Sequence, residues 1–87
     1  MGTDIGIVLF EGVEELDFVG PWEVFTMAAQ LRNDVRVETL ARSSGPVLCA
    51  KGMRVLPDRV LEEDIGIDVL LVPGGQRARV VPSTTGP

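Results

Sequence analysis

The residues able to do chemistry in this sequence fall in two short stretches far apart. The first is acidic: Glu11-Gly12-Val13-Glu14-Glu15-Leu16-Asp17 follows directly on an apolar run. A carboxyl group at the mouth of a cleft can hold or shuttle a proton for a substrate carbon or nitrogen. Asp17 also stands just before Gly20-Pro21, where an acid favours the positive end of a helix. Spacing alone therefore leaves a helix-start acid and a site acid both open. Glu15 is a neighbouring carboxylate that shares the same crevice or is solvated; Glu11 and Glu14 read as solvated. The second stretch is Pro73-Gly74-Gly75, where missing Cβ atoms let backbone N–H groups approach a ligand closely. The same three residues also suit an ordinary turn after a strand.

The chain of 87 residues contains one cysteine and no histidine. That excludes an internal disulfide framework and any Ser-His or Cys-His pair made within it, and it disfavours a zinc site. Cys49 has no strand-to-helix glycine pattern around it and reads as structural. No cofactor is implied, since a Gly-x-Gly-x-x-Gly run, a phosphate loop and a metal-ligand cluster are all missing. Eight basic against thirteen acidic residues give a net charge of −5. Without a basic cluster, nucleic acid is not an expected partner. No apolar stretch approaches the ~20 residues of a membrane span, and the N-terminus lacks a basic leader. The expectation is a soluble, cytoplasmic protein with no membrane association.

Certain elements must position the two stretches. Residues 4–10 are a short apolar run suited to a strand buried on both faces of a parallel sheet. Pro21 suits a first helical turn, and Trp22, Phe25, Ala28 and Ala29 then follow helical spacing, which predicts a helix over 20–31 with Trp22 and Phe25 in the core. Residues 35–41 alternate as a half-buried strand. Residues 47–50 and 53–56 form a hairpin about Lys51-Gly52, 59–65 a weak helical or irregular segment, and 67–72 a second apolar strand. Alternating strands and helices imply a parallel α/β sheet with right-handed crossovers, whose ligands bind outside the strands' carboxyl ends. Both stretches reach that edge. Residues 76–87 read as an irregular tail, which leaves the strand before it wanting a partner.

Ile5-Gly6-Ile7-Val8-Leu9-Phe10-Glu11-Gly12-Val13-Glu14-Glu15-Leu16-Asp17, its continuation Phe18-Val19-Gly20-Pro21-Trp22-Glu23-Val24-Phe25, and Asp68-Val69-Leu70-Leu71-Val72-Pro73-Gly74-Gly75 together resemble the ThiJ/PfpI superfamily. These are class I glutamine amidotransferase-like proteins, and the match is narrower to the isonitrile-hydratase-like branch. The resemblance covers residues 4–75 and implies a flavodoxin-like α/β sandwich of roughly twice this length. In that family a reactive cysteine stands on a nucleophile elbow after the next strand. The resemblance makes Asp17 the acid that hydrogen-bonds its sulfur, and Gly74 and Gly75 part of an oxyanion-type donor site. It also carries the expectation of a homodimer bordered by the helix after the acidic loop.

The sequence departs from the family pattern after Gly75 or Gln76, about where the elbow strand should begin. The domain reading is thus 1–75, the N-terminal part of such a domain, and 76–87, a tail out of pattern. Three functions compete. One is a truncated hydratase (lyase) domain, inactive because the nucleophile is absent. Another is the ligand-sensing N-terminal domain of an AraC-type transcriptional regulator. The third is a non-catalytic interaction module, which would be poorly soluble or partly folded when made alone.

Overall fold

The computed structural model describes residues 2–62, 66–74 and 77–82, the last of these by backbone alone. The order of elements is β1 (Thr3–Val8), α1 (Glu15–Leu31), β2 (Val35–Ala41), β3 (Val47–Leu48), β4 (Arg54–Val55), β5 (Arg59–Val60), β6 (Val69–Gly74) and β7 (Arg77–Pro82). One sheet runs β5-β2-β1-β6-β7, and β3 and β4 form a separate hairpin. β1 lies between β2 and β6 and is parallel to both, β5 is parallel to β2, and β7 is antiparallel to β6. The parallel α/β sheet expected from the alternating elements is therefore present, with α1 packed on one face.

On the helix side, Ile7, Leu9, Phe18, Ala41 and Leu71 meet Val47 and Cys49 of the hairpin in a single buried cluster. The other side is closed locally. A Cβ on Gly6 would lie 2.7 Å from Leu40 Cδ1 and 3.2 Å from Ile67 Cγ2, so glycine leaves room for the fully buried Leu40 to cross β1. Two aspartates start strands by the same device. Asp68 donates its N–H to Asp4 O and accepts Asp4 N–H on Oδ2, both at 2.8 Å. Asp58 donates its N–H to Thr39 O and accepts Thr39 N–H on Oδ2 at 2.9 Å.

Three expectations need correction. The helix starts at Glu15 rather than residue 20, with Pro21 inside it. A proline there lacks the N–H that would bond Asp17 O four residues back, a loss usually found at the first turn; burial of Phe18 and packing of Val19 and Phe25 against the core hold the turn before it. The segment at 59–65 begins as a strand, because Asp58 and Leu61 bond to Thr39 and Ala41 and draw the chain alongside β2; residues 63–65 lie outside the described residues. Residues 77–82, expected to be irregular, pair with β6 from Val69↔Pro82 to Gly74↔Arg77. The tail thus provides the edge partner that β6 required. Pro73 is tolerated inside β6 because the β1–β6 register ends at Leu71.

α1 is apolar on two sides. Phe18 and Phe25 face the sheet, while Leu16, Val24, Met27 and Leu31 are 74%, 66%, 59% and 82% exposed on the opposite side. Their spacing of 8, 3 and 4 residues keeps them on one stripe of a helix. No helix among the described residues is long and apolar enough to cross a membrane.

Candidate functional site

The carboxyl ends of β1 and β6 lie side by side, and the acidic loop joins the first of them to α1. Gly12, at φ +83°, turns that loop, after which it runs along the hairpin as an improvised strand. Gly12 N–H donates to Leu48 O, and Ala50 N–H to Val13 O, both at 2.8 Å. Val13 is buried below. The loop is therefore fixed from beneath by the core and from the side by residues 48–50.

Asp17 sits in the first turn of α1, and its carboxylate is directed inward. Among the described residues, Asp17 Oδ2 is a buried side-chain oxygen with no hydrogen-bond partner. A buried carboxylate oxygen costs on the order of 1–3 kcal/mol when left unpaired, so this atom is set to accept a hydrogen bond. Gly74, the last residue of β6, is exposed on the same edge and stands opposite Arg77 of β7. It is a strand-end residue here rather than part of an open turn. Gly75, the other expected donor, lies outside the described residues.

Glu15, the second expected site acid, is engaged by the hairpin. Its carboxylate accepts Lys51 N–H at 2.9 Å and Met53 N–H at 3.2 Å. Partial burial alone would raise its pKa, but the N–H groups of Glu15 itself, Met53 and Lys51, with the Lys51 ammonium, outweigh this and hold it below the usual glutamate range. Glu15 thus reads as a clamp that holds the hairpin to the helix start. Glu14 and Glu11, expected to be solvated, share in it: Glu14 pairs with the Lys51 ammonium and Glu11 accepts Leu48 N–H. Hydrogen bonding to Glu14, aided by the charges of Glu14, Glu15 and Asp17, raises the Lys51 pKa. Sequence reasoning missed Lys51, and nothing in its spacing from residues 11–17 signals the contact.

Because the Glu15 pKa is depressed on folding, its clamp is complete above the unfolded glutamate value and is lost as pH falls through the lower folded one. Glu15→Gln should give several-fold faster hydrogen exchange at the Lys51 and Met53 amides at neutral pH. With intrinsic exchange at each pH divided out, the wild-type chain should fall to the variant's level of protection only on acidification. Unchanged exchange in the variant would mean that the clamp carries no load.

Cys49 lies in the core of the hairpin, 4% exposed, with its sulfur 3.8 Å from Val47 O. Burial pushes its thiol pKa up, and the Glu15 and Glu11 carboxylates add to this. It is a packing residue with little thiolate character. Phe25 packs against the core as expected, whereas Trp22 is 38% exposed on the flank of α1. Among the described residues, no group of three or more His, Cys, Asp or Glu could hold a metal ion.

A central parallel sheet, an acidic loop after its first strand and a glycine at the neighbouring strand end agree with one family. The pattern of the DJ-1/PfpI family matches residues 3–85. The chain belongs to the DJ-1/PfpI family. The isonitrile hydratase of Pseudomonas putida is 33% identical over 75 residues, covering 86% of this chain and 31% of that protein. An uncharacterized protein in the cpoL 5′ region of Streptomyces lividans is 33% identical over 69 residues, 79% of this chain and 49% of that one. Among solved structures, an AraC family transcriptional regulator from Pseudomonas putida superposes with TM-score 0.73 at 24% identity, over 88% of this chain and 49% of that one. Drosophila melanogaster DJ-1beta gives 0.70 at 24% identity, over 87% and 40%. At these identities the structural likenesses show the fold alone. The chain spans about a third to a half of the length of the relatives it matches by sequence.

Proposed function

We propose that this chain supplies the acid half of an isonitrile-hydratase-type site and does not hydrate isonitriles alone. The observation behind this reading is the buried, unpartnered Oδ2 of Asp17 at the carboxyl edge of β1. It is what a thiol or a protonated substrate would bond. The chain's one thiol, on Cys49, is buried in the hairpin core instead. The relative named isonitrile hydratase supports the substrate class.

In the proposed reaction a thiol from outside these 87 residues adds to the isonitrile carbon. The S–C bond forms, and the carbon takes the thiol's proton by way of Asp17 Oδ2, giving a thioimidate. Water then adds to that carbon, the C–S bond breaks, and the thiol regains a proton as an N-substituted formamide leaves. Asp17 orients the sulfur and holds the moving proton.

The test has two stages. The purified chain, incubated with cyclohexyl isonitrile, should form no N-cyclohexylformamide above the buffer rate. Residues 3–74 should then be grafted onto the remainder of the Pseudomonas putida isonitrile hydratase. Asp17→Asn in an active graft should lower kcat by about 100-fold or more, the usual scale of general acid–base contributions. An active graft indifferent to that substitution would remove Asp17 from the chemistry. Turnover by the chain alone would end the acid-half reading.

The same reading includes a homodimer formed through the outward stripe of α1, Leu16, Val24, Met27 and Leu31. A helix apolar on both sides is a buried helix, and only one of its sides is covered within this chain.

A further inference from the structure

β2 has an open edge over half its length. β5 pairs with β2 only at Leu40 and Ala41. Among the described residues, no strand lies beside residues 35–38 on that side. The hydrogen bonds fix which groups point there. Thr3 N–H donates to Asp34 O and Leu9 N–H to Leu40 O. Even-numbered residues of β2 therefore turn their peptide groups toward β1. Asp58 and Leu61 donate to Thr39 O and Ala41 O, so odd-numbered residues turn theirs outward. At Thr39, Asp58 substitutes for a neighbouring strand. Val35 and Val37 carry the same outward N–H and C=O groups without such a substitute among the described residues.

Beside this edge runs a groove of about 410 Å³, lined by Trp22 and Thr26 of α1, Val37 and Thr39 of β2, and Met53 and Leu56 next to β4. Its polar side chains are already engaged. Thr26 Oγ1 donates to Trp22 O at 2.7 Å, and Thr39 Oγ1 donates to Asp58 Oδ2 at 3.2 Å. What remains on offer is apolar surface and two peptide units. A small polar molecule would find no free side chain to bond there, whereas an extended peptide would use both features.

We propose that the open β2 edge and this groove bind an extended segment of a partner protein, added as a strand opposite Val35 and Val37, with an apolar side chain in the groove. Main-chain bonds would supply affinity, and the groove would select alternate side chains. Charge selects further. Asp58 is the one ionisable residue lining the groove, and the chain's net charge is −5, so a segment with basic residues flanking the apolar one fits. This binding surface is separate from the Asp17 edge and does not depend on the hydratase reading.

Trp22, the sole tryptophan, lines the groove and reports its occupancy. The probe is an N-acetylated, C-amidated octapeptide of alternating lysine and valine, titrated into the full chain at moderate salt. A saturable change in Trp22 fluorescence is expected. The same peptide N-methylated at alternate residues keeps its charge and side chains but loses the donors, and should bind at least about tenfold more weakly. Val37→Pro removes one outward N–H and leaves the β1 ladder intact, with a similar loss expected. If Val37→Pro disturbs folding by circular dichroism, Leu56→Lys on the exposed rim should weaken binding by charge instead. No saturable signal, or equal affinity for the methylated peptide, would overturn the proposal. So would self-association through this edge that the peptide fails to displace.

Discussion

Ile7→Ala should lower stability by about 3–4 kcal/mol and the urea midpoint by roughly 2–3 M. Ile7 is fully buried in the central strand, where helix, hairpin and neighbouring strands converge on it. Its loss removes transfer energy and leaves a cavity that strands hydrogen-bonded on both sides cannot collapse to fill. An 87-residue domain is held by about 4–13 kcal/mol in total, so the variant sits near the edge of folding. Leu16→Ala is the control. At 74% exposed it should change the monomer's stability by no more than about 0.5 kcal/mol. Comparable midpoints for the two variants would refute the placement of the core.

Val24→Glu or Met27→Glu should convert a concentration-dependent dimer to monomer in sedimentation equilibrium. With the exposures of Leu16, Val24, Met27 and Leu31, the stripe presents roughly 500 Å² per copy, at the upper end of patches carried by stable monomers. Doubling it across a two-fold axis gives on the order of 1,000 Å², a small interface, so micromolar association is the scale to look for. A glutamate introduced at its centre would be buried without a partner and should weaken association by at least about 100-fold. The variants should also be more soluble, since the patch is itself an aggregation liability. A wild-type chain that stays monomeric and soluble at high concentration would show that the stripe does not mediate a dimer.

The sequence made some parts of the molecule legible for physical reasons. Ile5-Gly6-Ile7-Val8 and Val69-Leu70-Leu71-Val72 could be read as inner strands because burial on both faces removes alternation. The hairpin about Lys51-Gly52 followed from short apolar runs on either side of a turn. The parallel order followed from the alternation of elements. Misreadings arose where a local rule met a tertiary contact. Pro21 suggested a helix start, yet Phe18 is held by the core one turn earlier. Arg59-Val60 has no strand pattern of its own and becomes a strand because Asp58 anchors it to Thr39. β7 was hidden by two arginines and a proline, although the unpaired edge of β6 called for it. For the site, residue type brought attention to Asp17, and only the fold revealed its buried free oxygen. Glu15 had equal claim on type, but it stands 36 positions before Lys51, the partner that gives it another role.

The position of β1 in the middle of the sheet sets the length of chain that must be closed to build it. Ile5 meets Val37 on one side, 32 residues on, and Val69 on the other, 64 residues on. Loop-closure entropy grows only with the logarithm of length, so doubling the closed loop costs about 0.6 kcal/mol more. The excursion between β2 and β6, which includes the hairpin, is therefore a small entropic addition to the sheet. Residues 48–53 offset it through their bonds to Glu11, Gly12, Val13 and Glu15. Chain can be gained or lost within this excursion with little effect on closure, provided that those bonds survive. Variation in length is thus open to the chain on either side of residues 48–53 and closed to those residues themselves.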